Sequence, residues 1–110
     1  MKQYIIDEIR LYDYEKIKSY LDEKYGRSGI DGIYLVPVEK KMLSDVQAEH
    51  IDCQPFFFSI QLDENRLACE LLIRTNNRMR CDCMSYANEE QFKWIISLVD
   101  SIFIELGVLA

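Results

Sequence analysis

Residues 55–87 read PFFFSIQLDENRLACELLIRTNNRMRCDCMSYA, and the way this stretch pairs with itself decides the fold. Apolar and polar residues alternate at the period of a strand, so each trial register can be judged by whether it gathers the apolar side chains on one face. A two-residue turn at Glu64 and Asn65 sets Phe58 opposite Leu71, Ile60 opposite Cys69 and Leu62 opposite Leu67, and that face is uniformly apolar. For the second hairpin, a two-residue Asn76-Asn77 turn would set Arg80 against Ile73 and Asp82 against Leu71. A three-residue loop through Arg78 instead pairs Ile73 with Cys81 and Leu71 with Cys83. It also leaves Arg74 and Arg80 beside Glu70 and Asp82 on the outer face, where opposite charges can pair. The stretch therefore predicts a three-stranded antiparallel meander from Phe56 to Tyr86.

Working outward toward the N-terminus, IYLVPV predicts a strand whose Pro37 has no amide to give a ladder and so belongs at an edge or an end. Ser44 followed three residues later by Gln47 fits a capping box opening a short helix to about His50. Further upstream, QYIIDEIRL reads as a strand, and Asp13 as the N-cap of a helix over YEKIKSYLDEKY. Tyr14, Ile17, Leu21 and Tyr25 give that helix one apolar stripe, and Gly26 closes it. On the C-terminal side, Asn88 and Gln91 form a second capping box, with Glu89 and Glu90 at the positive end of the helix dipole. Phe92, Ile95, Ile96, Val99, Ile102, Phe103 and Leu106 make the core stripe of this last helix, while Trp94, Leu98 and Ile104 widen its apolar surface. The predicted order is β-α-β-short α-β-β-β-α: a single α+β domain over residues 1–110, with a mostly antiparallel sheet of four or five strands and two main helices on one face.

Composition narrows the function. The 19 acidic against 13 basic residues give a net charge of -6, which repels phosphate backbones and anionic membranes, so neither nucleic acid nor membrane is an expected partner. The most apolar run, WIISLVDSIFIELGVLA, is interrupted by Ser97, Asp100, Ser101 and Glu105 and reads as a buried helix rather than a membrane span. The start MKQYIIDEIR meets charge after two apolar residues, so the chain is expected in the cytoplasm with its four cysteines reduced.

Those cysteines carry the chemical question. On a regular strand Cys81 and Cys83 lie ~6.6 Å apart, whereas two thiolates sharing tetrahedral zinc sit ~3.8 Å from each other. The expectation is therefore that Cys69, Cys81 and Cys83 are small core residues and that no cofactor is held. The alternative is a metal centre. A bulge at Asp82 would let His50-x-x-Cys53 meet Cys81-x-Cys83 and supply four zinc ligands. An enzyme using His50 and Cys53 ranks third, because the chain has one histidine and no phosphate loop or H-E-x-x-H motif. Arg74, Arg78 and Arg80 form a candidate anion contact, although Glu70 and Asp82 are close enough to neutralise them. Phe57, Leu72, Met84 and Tyr86 on the sheet's outer face, with Trp94 and Leu98 flanking the last helix, make an apolar surplus. That surplus suggests a non-enzymatic interaction module that associates with itself as a homodimer or with another protein.

Overall fold

Strand β3 (Phe56–Asp63) is the centre of the sheet, and its alternation of buried and accessible residues is that of a strand covered on one side. The computed structural model describes residues 2–26, 30–75 and 83–108. Around β3 stand β1 (Gln3–Ile6), β2 (Ile33–Pro37), β4 (Arg66–Glu70), β5 (Leu72–Thr75) and β6 (Ser85–Tyr86), all in one antiparallel sheet. Three helices complete the α+β domain: α1 (Leu11–Tyr25), the short α2 (Asp45–Glu49) and α3 (Glu89–Leu106).

The first hairpin has the expected register, with Ile60 facing Cys69 and Leu62 facing Leu67. Beyond it the pairing slips. Phe57 faces Arg74, so Phe58 and Ser59 stand against the four residues Glu70, Leu71, Leu72 and Ile73. This two-residue surplus breaks the predicted middle strand into β4 and β5, which is why the sheet has six strands rather than four or five, and it displaces Leu71 from the continuous ladder with Phe58. The backbone at the break is satisfied from both sides: the Leu71 amide donates to the Lys2 carbonyl at 3.1 Å, and the Leu71 carbonyl accepts from Ala87 at 2.8 Å. Thus β1 borders β4 and β6 borders β5 along the same edge, while β2 takes the opposite edge of β3 and ends at Pro37.

The helix-facing side of the sheet buries Phe56, Phe58, Ile60, Leu62, Leu67 and Cys69 against Ile17 and Leu21 of α1 and Ile95, Val99 and Phe103 of α3. Both predicted capping boxes form, Ser44 with Gln47 and Asn88 with Gln91. Helix α1, however, begins at Leu11 with Arg10 as an N-cap that makes no side-chain bond. The chain enters the helix early because the Ile9 amide is anchored to the Asn65 carbonyl at 2.8 Å and Glu8, at φ 58°, turns it there. Asp13 is consequently a buried first-turn residue held by Arg10 Nε at 3.1 Å, near the positive end of the dipole, rather than the cap. On α3, Phe92 lies outside the core stripe at 39% exposure, Ile104 stands out at 79%, and Trp94 and Leu98 pack partly onto the core. Among the described residues no helix is long and apolar enough to cross a membrane.

Candidate metal centre

Two segments far apart in sequence deliver ligand-type side chains to one place. Helix α2 stops at His50, whose amide bonds the Val46 and Gln47 carbonyls, and the chain tightens into a 3₁₀ turn over Ile51–Cys53, closed by the Cys53 amide on the His50 carbonyl at 3.0 Å. In such a turn side chains three apart eclipse, so His50 and Cys53 point the same way. Cys83 arrives from the chain just before β6. A ring nitrogen of His50 and the sulfurs of Cys53 and Cys83 all lie within 4.8 Å of one another.

This geometry overturns one expectation and opens another. Ile73 faces Ser85, not Cys81, and Leu72 faces Tyr86. The second hairpin therefore needs a longer loop than three residues, and Cys83 sits in a turn rather than opposite Leu71 in a strand. It is buried, as expected, but the flat-strand spacing that argued against shared zinc does not apply to it. Cys81, Asp82, Arg78 and Arg80 lie outside the described residues. Zinc would need its ligand atoms ~3.8 Å apart, so the three groups already approach closing distance.

Both loops are pinned. The Thr75 hydroxyl donates to the Cys53 carbonyl, and the Gln47 side-chain amide donates to the Cys83 carbonyl at 3.3 Å. Gln47 is fully buried and also accepts from the Gln91 amide at 2.8 Å. Both glutamines are legible in the sequence as cap residues, but their contact with each other and that of Gln47 with Cys83 are tertiary and have no local signal. Cys53 and Cys83 are buried, His50 is half-buried, and Glu49, His50, Ile51, Asp52 and Cys53 line an open cleft of about 630 Å³ that gives access to the group from outside. Cys69 is a different kind of thiol: burial, with the neighbouring Glu70 charge adding to it, pushes its pKa up to about 12, and it is no part of the cluster.

The other candidate residues that the structure describes are not brought to this centre. Arg74 Nε is paired with Glu70 at 2.9 Å, an internal contact of the kind the sequence suggested. Phe57, Leu72 and Tyr86 share the outer face of the sheet; Phe57, Leu72 and Met84 are half-buried and Tyr86 is exposed with the Lys2 ammonium 5.5 Å from its ring. Trp94 is turned onto Phe58 with ring centroids 6.1 Å apart. Comparison with family models, curated proteins and solved structures gives no match to this chain.

Proposed function

We propose that this domain is a non-enzymatic zinc-binding module in which His50, Cys53 and Cys83 hold one ion that ties the α2 turn to the chain entering β6. The observation that carries this reading is the convergence of one imidazole and two thiols, from segments 30 residues apart, to within 4.8 Å. A borderline-soft cation such as zinc suits that donor set, and three protein ligands leave one tetrahedral position. Cys81 is the sequence's own candidate for it, which would make the site closed and structural; a water there would leave it open to the cleft.

Native mass spectrometry of protein purified without chelator tests the reading. One zinc per chain is expected, lost in His50→Ala, Cys53→Ser and Cys83→Ser. Cys81→Ser separates the closed from the open form. A metal-free wild-type protein that also fails to take up added zinc overturns the proposal.

Self-association is a second reading, supported by a groove between β1 and α3 whose walls include the exposed Ile5 and Ile104. Among the described residues β1 pairs only with β4, so its other edge could accept the same strand of a second copy.

A further inference from the structure

We infer that Gln47 is the positioning residue of the metal centre, setting the Cys83 loop against the His50 turn through the bond from its side-chain amide to the Cys83 carbonyl. The inference rests on the metal-binding reading above. Gln47 reaches the backbone of two proposed ligands at once. Its carbonyl accepts from the His50 amide at 3.2 Å, and its Nε2 donates to Cys83 O at 3.3 Å. Its Oε1 is fully engaged elsewhere, accepting from Ser44 N at 3.0 Å and from Gln91 Nε2 at 2.8 Å.

The capping box requires only that acceptor oxygen, and a glutamate at this position would serve the helix start equally well. What glutamine adds is a donor, and the bond that this donor makes is to Cys83. The residue is completely buried, so the amide cannot turn to water, and the Ser44 backbone amide, which can only donate, fixes which way its oxygen faces. Groups of this kind, which touch the ligand's backbone and not the ion, orient ligands and typically change metal affinity about 10- to 100-fold when removed.

Three variants separate positioning from simple loosening of the core. Gln47→Glu keeps the acceptor for Ser44 and Gln91 but turns an acceptor toward Cys83 O. Gln47→Met removes all three side-chain bonds at similar volume, and decides the matter if a buried carboxylate prevents folding. Gln91→Met breaks the Gln47–Gln91 bond and leaves the Cys83 bond in place. Zinc affinity by chelator competition, the absorption spectrum of the cobalt-substituted protein and the melting temperature without metal are measured for each. Both Gln47 variants are expected to bind zinc about 10- to 100-fold more weakly with an altered cobalt spectrum, while Gln91→Met keeps the wild-type affinity and spectrum despite a lower melting temperature. Wild-type affinity in the Gln47 variants, or an equal loss in Gln91→Met, overturns the inference while leaving the metal centre standing. A wild-type protein that binds no metal removes both.

Discussion

The Tyr4 hydroxyl donates to Asp100 at 2.6 Å, joining the first strand to the last helix across 96 residues of sequence. The bond to a carboxylate, then burial and the Asp100 charge, push the Tyr4 pKa up to about 12. Tyr34 behaves alike: burial first, then its 2.6 Å bond to Asp22, raise it to about 12. Both phenols must be neutral to donate, and unfolded tyrosine ionises near pH 10. Their contribution is therefore whole below about pH 10 and is lost as pH rises from there through the folded value near 12. Urea midpoints are expected to fall steeply above pH 10, and the Tyr4→Phe, Tyr34→Phe double variant should be less stable at pH 8 by about 2 kcal/mol, with a flatter alkaline slope. An unchanged slope in the double variant would show that other groups control alkaline unfolding.

Asp22 gives the acidic counterpart. Its bond from Tyr34, followed by that from Lys18 at 3.0 Å, holds its carboxyl below the usual carboxylate range. A depressed carboxyl contributes stability above its unfolded pKa and loses it as pH falls through the folded one. Asp22→Asn should accordingly be destabilised at pH 7 and should converge toward the wild-type protein in strongly acidic solution, a difference readable by thermal melts at pH 7 and pH 2.

Two glycines close the main helices in different ways, and alanine distinguishes them. Gly107 ends α3 at φ 70° with nothing within 4 Å of an added Cβ, so Gly107→Ala meets only the backbone cost of the left-handed region, about 1 kcal/mol. Gly26 ends α1 at φ -75°, but its added Cβ would overlap the Asp22 carbonyl oxygen, so the helix end must move. Gly26→Ala is expected to be the more damaging of the pair in chemical denaturation, with the larger part of the change around Asp22, Tyr34 and their bond.

Local pattern revealed much, but not the start of α1, where anchoring of the Ile9 amide to Asn65 moves the cap from Asp13 to Arg10. The alternation in FFFSIQLDENRLACE identified the β3–β4 register, because a slip by one residue there would turn Phe58, Ile60 and Leu62 out of the core. Both cap boxes were readable because capping is chemistry over four residues. The break at Leu71 was not, since the bonds that make it possible come from Lys2, far upstream just before the first strand, and from Ala87, beyond the following hairpin. That break shifts everything after it, so Ile73 faces Ser85 where the hairpin pattern alone points to Cys81, and Cys83 lies in a turn where the pattern points to a strand. The His50-x-x-Cys53 half of the metal alternative is legible because it depends only on a local turn, and burial of Cys83 holds in either register.

The flank of α3 separates packing from association. Trp94 contacts Phe58 and the core, so Trp94→Ala should cost about 2 kcal/mol of fold stability, less than a fully buried tryptophan, whatever the oligomeric state. Ile104, 79% exposed, has little to lose. Ile104→Glu should leave the melting temperature nearly unchanged, and light scattering at tens of micromolar should show dimer in the wild-type protein and monomer in this variant. A wild-type monomer at that concentration eliminates self-association through this groove.

The cysteines provide the sharpest contrast, because one protein contains thiols of two kinds. Cys69 is buried and, among the described residues, belongs to no group of three potential ligands, so Cys69→Ala should bring a cavity cost on the order of 1 kcal/mol and leave zinc content at wild-type level. Cys83→Ala removes a similar volume at a similarly buried position, yet it should abolish zinc binding and lose in addition the stabilisation that the bound ion gives the folded state. A strong chelator should lower the melting temperature of the wild-type and Cys69→Ala proteins and leave Cys83→Ala where it is. Acid should mimic the chelator, since protons compete with the ion for imidazole and thiolates, and zinc release measured against pH should precede the loss of helix signal. Equal behaviour of Cys69→Ala and Cys83→Ala toward chelator would mean that both sulfurs are core filling, and would return His50, Cys53 and Cys83 to a coincidence of packing.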